Sequence, residues 1–485
     1  MKILFTHSYF MHFDPKQWGL QQAYPPLMTL YAASVLREAG HEVGLFDTMF
    51  SESPQEIIPR IAAERPDVLI ICDDGFNYLT KMCLTNMREA AWEMAAIARD
   101  HGCRVIVASS DATDHYEKYL DHHCDIVVNG EPEFTLKELM EAPGNQDAAP
   151  ENIHGISFRK AGKTITTPAR AAISEPDLLP LPAWDLADLP AYAAMWRKRY
   201  GYFMVNMVMS RGCPFHCTWC AKPLYGYRYA QHSPAYVIRH LSFLADLHPF
   251  EGVWFCDDIF ALNGDWLKGF SNGLREAGLK IRYKMQSRAD VLLREGYISD
   301  LKSSGCDTVW LGAESGSQKI LDAMNKGVKV EQIYEATREL KAAGIRPAFF
   351  IQFGYPGEQM EDIRMTIRMI RKLLPDDIGI SVSYPLPGTL FHQMVKDDLR
   401  EKANWTDSDE LAMMFRNTYP PAFYKRLHRY VHKTYRLHQG WHILGQFFLR
   451  PWKVRMKDIR RMVLIVYYIP ASLWAAYQLN RSRNV

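Results

Sequence analysis

The chain is 485 residues long, 48% apolar and 23% charged, with a net charge of +2. That length points to roughly two to four domains, and the near-neutral total gives no reason to expect a nucleic-acid partner. Nine cysteines are present, and six are scattered as Cys72, Cys83, Cys103, Cys124, Cys256 and Cys306; a secreted disulfide scaffold is denser and more regular. Residues 1–7 hold too little apolar sequence for a signal peptide, so the expected setting is a reducing cytoplasm.

The first third alternates β-branched runs at 2–5, 43–46, 67–72, 104–108 and 125–128 with helical patterns, of which 27–40 closes on Gly40, a C-cap signal. This alternation predicts an α/β fold with an N-terminal doubly wound parallel sheet over residues 1–150, whose ligands lie beyond the strands' carboxyl ends. A short two-strand pattern at 153–167 follows, and then Pro176, Pro180 and Pro182 exclude a helix or central strand, so 151–198 reads as a linker with a short hairpin. Runs at 203–209, 253–257, 280–285, 308–312, 348–354 and 378–384, separated by helical patterns, predict a partial (βα)6 barrel over 199–403. Residues 404–485 lose this rhythm and read as a mostly helical tail, aromatic and basic.

The first barrel run leads into Ser210-Arg211-Gly212-Cys213-Pro214-Phe215-His216-Cys217-Thr218-Trp219-Cys220. Cysteines spaced by three residues and then two can surround one face of an iron–sulfur cluster and leave one iron open. That iron can chelate the amino and carboxylate groups of a small molecule. The competing reading is structural zinc, which needs four closed ligands, usually in paired spacings. No second pair exists, and only His216 or Cys256 stands ready to complete the set.

This run resembles the CxxxCxΦC signature of the radical S-adenosylmethionine (SAM) superfamily, with Trp219 as its aromatic residue. The resemblance covers residues 200–400. It implies a 4Fe–4S cluster on Cys213, Cys217 and Cys220, and an electron donor such as flavodoxin or ferredoxin. It also implies reductive cleavage of SAM to methionine and a 5′-deoxyadenosyl radical, the protein supplying position and exclusion of water. Polar residues follow each predicted barrel strand, where barrel enzymes place function. Trp219, Arg288, Glu314, Ser315 and Gly354 are the candidates to hold the cluster and SAM, Arg288 at the methionine carboxylate and Glu314 near the ribose. Asp257, Asp258 and Tyr384 are the candidates to act on substrate. The plainer reading of any one carboxylate is a helix cap or a surface ion pair, and of Gly316 and Gly357 a tight turn.

Residues 24–43 and 125–136, with Pro182-Ala183-Trp184-Asp185, resemble the cobalamin-binding subgroup of the superfamily and extend the resemblance over most of the first 400 residues. The residues it implies at cobalamin are Asp73, Asn77, Ser109, Gly130 and Glu131. The DxHxxG motif that ligates cobalt elsewhere is absent, and His7 and His12 have the wrong spacing. Cobalamin is therefore expected without a protein histidine ligand; the alternative is a sheet that binds nothing and only shapes the active site. His115, His122 and His123 read as solvated surface.

In the tail, Arg450, Lys453, Arg455, Lys457, Arg460 and Arg461 face a single acid, Asp458, and precede an uncharged stretch, 462–480, interrupted by Pro470. This suits either peripheral association with the inner face of a membrane or a lid on the barrel. The resulting expectation is a cobalamin-dependent radical SAM enzyme, a methyltransferase or cyclase acting on a small or lipid-like substrate. The alternatives are a tRNA methylthiotransferase, which would need further amino-terminal cluster cysteines and a basic β-rich tail, and a non-enzymatic cobalamin or metal sensor.

Overall fold

A computed structural model describes all residues except 78–79, 81–83, 143–149, 221–226, 402–403, 450–455 and 483–485. Cys83, Arg450, Lys453, Arg455 and the side chain of Lys457 lie outside the described residues.

The first sheet contains β1 (Lys2–Thr6), β2 (Glu42–Phe46), β3 (Val68–Cys72), β4 (Arg104–Ala108), β5 (Ile126–Val128), β6 (Ile156–Lys160) and β7 (Lys163–Thr166). Their order is β2-β1-β3-β4-β5-β6-β7. The first five are parallel, and β3 is buried along its length, as an unbroken Val-Leu-Ile-Ile-Cys run requires when helices cover both faces. The hairpin read as part of the linker pairs antiparallel with β5 and extends this sheet to residue 166. A three-residue β5 left at the edge would expose an unpaired ladder.

The second sheet comprises β8 (Met204–Met207), β11 (Gly252–Phe255), β12 (Tyr283–Ser287), β13 (Cys306–Glu314), β14 (Arg346–Phe353) and β15 (Asp377–Val382). All are parallel, in the order β15-β14-β13-β12-β11-β8 with the two ends apart, which makes an open half-barrel. A two-residue ribbon, β9 (Ser210–Arg211) with β10 (Ala230–Gln231), projects from its first loop. β12 starts three residues later than the sequence pattern suggests, and β13 runs on to Glu314.

The proline-rich linker is packed. Trp184 is fully buried and donates its indole N–H to His240 at 2.7 Å, and Ala183 N–H bonds Leu30 of the first domain at 3.1 Å. The helix Leu189–Tyr200 follows, opened by an Asp188 cap and closed by Gly201 in the left-handed region. Past the barrel, residues 404–419 cross both domains. Trp405 carbonyl accepts Thr85 N–H at 2.8 Å, Ser408 hydroxyl donates to Asp14 at 2.8 Å, and Asn417 amide donates to the Gly354 carbonyl at 2.5 Å. The tail is helical at Pro421–Leu449, Met456–Val463 and Ile465–Arg481. Phe423, Leu427, Val431 and Tyr435 of its first helix are buried, and Gly440 allows the last helix to approach, since a Cβ there would sit 2.5 Å from Ile465.

Arg211 on β9 joins the two domains. Its guanidinium lies 3.0 Å from Glu131 and 2.6 Å from Glu133, over the rings of Tyr31 and Phe76, and its side chain is 2% exposed. Removing one partner of a buried ion pair strands the other charge, at a cost of about 3–5 kcal/mol. Arg211→Met is expected to lose stability of that order in urea unfolding. Adding Glu131→Gln and Glu133→Gln is expected to restore much of it.

Candidate active site at the barrel mouth

The cysteine loop starts at the end of β8 and is held from several sides. Asp257, just past β11, accepts Met209 N–H at 2.9 Å, Ser210 N–H at 2.5 Å and the Ser210 hydroxyl at 2.6 Å, all on one oxygen. Its other oxygen is buried without a hydrogen-bond partner, and burial pushes the carboxyl up to about 7. Thr218 donates from its N–H and hydroxyl to the Met324 carbonyl at 3.0 and 3.2 Å, and its own carbonyl accepts Phe391 N–H. Asn325 donates to the His216 carbonyl at 2.8 Å, and Gly212 takes a left-handed conformation, φ 75°.

Cys213 and Cys217 are buried and Cys220 is half-buried. Among the described residues no three His, Cys, Asp or Glu side chains converge as single-ion ligands. Two cations flank Cys217. Arg288 Nη1 lies 3.9 Å from its sulfur, with the guanidinium 3.7 Å above the Phe215 ring and paired to Asp290 at 3.0 Å. Lys326 pairs with Glu314 at 2.9 Å, both side chains under 10% exposed. Burial alone would depress the Lys326 ammonium, but the negative charges of Glu314 and of an ionised Cys217 hold it above its ordinary range.

Glu314 reaches Lys326 from a left-handed backbone, φ 55°, at the end of β13, a conformation costing a non-glycine residue roughly 1–3 kcal/mol. Ser315 lies 3.1 Å from the Thr366 hydroxyl, which also accepts Gly316 N–H at 2.9 Å. A Cβ at Gly316 would meet the Met365 carbonyl at 2.6 Å, so only glycine lets this turn touch its helix. Gly357 sits in a turn at φ 80°. Gly354 N–H bonds Glu358 at 2.6 Å, and Met413 of the tail roofs it, 2.5 Å from where a Cβ would stand. Tyr384 is buried edge-on to Trp405, centroids 5.0 Å apart. Among the described residues the indole N–H of half-buried Trp219 has no hydrogen-bond partner, and Asp258 is half-buried.

The residues expected at cobalamin stand at the carboxyl ends of β3, β4 and β5, engaged in internal contacts. Asp73 accepts Ser8 N–H at 2.7 Å and its hydroxyl at 2.9 Å, Ser109 caps a short helix through Ala112 N–H, and Glu131 meets Arg211 and Ile173 N–H. Asn77 N–H bonds Asp74 at 3.1 Å, and Gly130 N–H bonds Thr113 at 3.3 Å. His7, buried at the end of β1, is bonded through one ring nitrogen to Asp47 at 2.8 Å and through the other to Thr48 at 3.0 Å. His12 stacks on Trp18. Of the three surface histidines, His122 stacks on Trp92 and His115 lies 3.8 Å from Asp111, while His123 is exposed. Sequence reasoning assigned no role to Arg211, though it sits inside the cysteine run, or to Lys326, which no spacing marks.

The sequence profile of the radical SAM superfamily matches residues 207–370. Residues 207–370, the core of the half-barrel, thus carry a radical SAM domain. It is 29% identical over 442 residues, 90% of each chain, to an uncharacterized methyltransferase of Pyrococcus horikoshii. It is also 26% identical over 447 residues, 88% of this chain and 80% of the other, to the hopanoid C-3 methylase of Methylococcus capsulatus. In fold it is similar to the cobalamin-dependent SAM radical enzyme OxsB, determined with aqua-cobalamin and SAM bound, at a TM-score of 0.75 and 14% identity over 97% of this chain and 72% of that one.

Asp257 gives this site a measurable pH signature. Its folded carboxyl titrates near 7, well above the unfolded value of 3.8. The folded state therefore holds the proton more tightly, and the stability this confers is present below the unfolded pKa and lost as pH rises toward 7. Asp257→Asn keeps an oxygen for the Met209 and Ser210 donors but cannot ionise. Its stability relative to the parent is expected to climb between pH 4 and 7 and then level off in urea titrations.

Proposed function

We propose that this chain binds a 4Fe–4S cluster on Cys213, Cys217 and Cys220 and cleaves SAM reductively. With cobalamin held at the first sheet, it would methylate or rearrange an unactivated carbon of a small, apolar substrate. On this reading residues 1–150 form the cobalamin domain, 199–403 the catalytic barrel and 404–485 the tail. The observation that carries it is Cys217 with the buried Arg288 guanidinium 3.9 Å from its sulfur and the buried Lys326 within its electrostatic reach, on a loop clamped by three neighbouring loops. When bound, the cluster supplies the single electron that breaks the carbon–sulfur bond of SAM. The chain's own residues do the rest. Arg288 and Lys326 offset thiolate charge, the Asp257 and Thr218 bonds fix the loop, and Tyr384 against Trp405 keeps water from the mouth.

Cobalamin is supported by the likeness to OxsB across nearly the whole chain, and a cobalt without protein histidine by His7, whose two nitrogens are both engaged. The methylase of Methylococcus capsulatus and the methyltransferase of Pyrococcus horikoshii favour methyl transfer, and the former an apolar substrate. The helical tail lacks the β-rich RNA-binding character of a tRNA methylthiotransferase, and a sensor would have no use for a cation-flanked thiol trio. A reduced flavodoxin or ferredoxin in the cytoplasm would supply the electron.

A second feature favours peripheral membrane contact. No helix among the described residues is long and apolar enough to cross a membrane. The last helix, however, turns Val466, Ile469, Leu473, Trp474 and Tyr477 outward on one face, beside exposed Phe448 and Leu449. Next to it lies a groove of about 630 Å³ lined by Arg364, Arg368, Arg371 and Lys372. Apolar and cationic surface side by side suits the interface of an anionic bilayer, each cation adding about 1 kcal/mol.

Cys217→Ala is expected to abolish cluster absorbance and SAM cleavage after anaerobic reconstitution, whereas Cys103→Ala keeps both; cleavage by the Cys217 variant would end the cluster assignment. Electron paramagnetic resonance of the cob(II)alamin-loaded chain should lack splitting from a protein histidine nitrogen. In sedimentation with phosphatidylglycerol vesicles the parent is expected to pellet at low salt. A Leu473→Asp, Trp474→Asp variant should stay in the supernatant, and equal pelleting of both would dismiss membrane contact.

A further inference from the structure

The concave face of the half-barrel carries a lysine, Lys284, that makes no ion pair among the described residues. In a parallel sheet, residues paired across neighbouring strands face the same side. The register Asn206↔Trp254↔Lys284↔Thr308 therefore forms one row across the inner face. The next residues along this face are Gln286 and Trp310, and beyond them Phe350 beside Gly312 and Gly379. Trp254, Lys284, Gln286, Trp310, Gly312, Phe350 and Gly379 are all half-buried, whereas the opposite face of the same strands is buried. The inner face is thus the less tightly covered side of the sheet.

Lys284 stands near the floor of the half-barrel. Its ammonium lies 4.8 Å from the centroid of Trp254, 5.5 Å from Tyr24 and 5.9 Å from Trp196. The floor is made by the first domain and the helix Leu189–Tyr200, since Asn206 donates to the Pro25 carbonyl at 3.0 Å and Trp196 to the Ala23 carbonyl at 2.6 Å. Among the described residues Lys284 makes no ion pair and no hydrogen bond. Two further polar atoms at this floor, Tyr24 Oη and Asn206 Oδ1, are buried without a partner. A lysine enclosed without a carboxylate is rare, because ring faces replace only part of the lost hydration. Burial pushes its ammonium down to about 8 in spite of Cys256 and Asp377 nearby, with Arg346 adding to the depression. Elsewhere this face carries aromatic rings, with Trp310 stacked on Phe350 at 4.7 Å above Gly379, whose missing side chain leaves room for both rings.

We propose that Lys284 is the specificity-determining residue of the barrel, binding an anionic oxygen group, carboxylate or phosphate, at the far end of an apolar substrate that lies between Trp254, Trp310 and Phe350. Tyr24 Oη adds a neutral donor beside it. Along β12 Lys284 stands four residues before Arg288, which touches Cys217, so the anionic group is held about 13 Å from the cysteine loop. The carbon that reacts is therefore remote from the charged end. This rests on the reading of the barrel as a SAM-dependent site and narrows its substrate class to apolar acids.

The test is binding of a planar apolar acid and its neutral analogue, 1-pyrenebutyrate and 1-pyrenebutanol, followed by energy transfer from tryptophan at pH 7. The parent is expected to bind the acid about tenfold more tightly than the alcohol. Lys284→Arg should keep this preference, and Lys284→Met and Lys284→Gln should abolish it; near-ultraviolet circular dichroism checks that each variant is folded. No preference in the parent, no saturable binding of the acid, or a preference that survives in folded Lys284→Met or Lys284→Gln overturns the proposal. The titration is run with and without reconstituted cluster. A chain that fails to hold iron overturns the cluster assignment while leaving the lysine result to stand or fall alone.

Discussion

The arrangement turns on one guanidinium. Arg211 lies two residues before the first cysteine, on a strand only two residues long, yet it reaches Glu131 and Glu133 of the other domain and is almost wholly shielded from water. Burying three charges costs several kcal/mol per ion before any attraction is counted, so this joint fixes geometry more than it adds stability. Its effect is to make the orientation of the cysteine loop depend on the first sheet. The loop that would carry a cluster and the loop after β5 are thereby tied together.

The mouth of the barrel repeats this use of charge at shorter range. Arg288 lies 3.9 Å from the Cys217 sulfur and Lys326 is near enough to feel the charge of Cys217, each kept in place by a carboxylate of its own, Asp290 and Glu314. Glu314 occupies an unfavourable backbone conformation to make that contact, and the turn after it depends on a glycine pressed against the helix Met360–Leu373. Strain, buried charge and close backbone approach thus coincide within a few residues. Stability elsewhere, in the covered parallel strands, sustains them.

Periodicity made both sheets readable. β3 is a continuous apolar run, and the six barrel runs stand where the six strands are, because side-chain pattern and burial are the same physical fact. The cysteine spacing marked the site loop for a similar reason: it is local. What stayed hidden is non-local. Lys326 meets Glu314 only because a left-handed residue turns the strand end back, and no pattern encodes that. The hairpin's place on the edge of the first sheet depends on β5 being short. Asp257 stood out as a carboxylate at a strand end, but its bonds to Met209 and Ser210 arise from strand order, which composition does not contain. Lys284 looked like any lysine in a strand until the aromatic residues around it were assembled from three parts of the chain.

The segment 404–419 is a second fastener between the domains, apart from Arg211. It touches Asp14 and Thr85 on one side and the Gly354 turn on the other. Two bodies joined at one point can swing; joined at several separated points, as here, they lose the axis about which to swing, since rotation about any one attachment breaks the others. Clamshell motion is accordingly a costly way into this molecule. Traffic falls instead to the gap between β8 and β15 and to the roof over Gly354, and a ligand large enough to need the domains parted would have to arrive before the second fastener is tied.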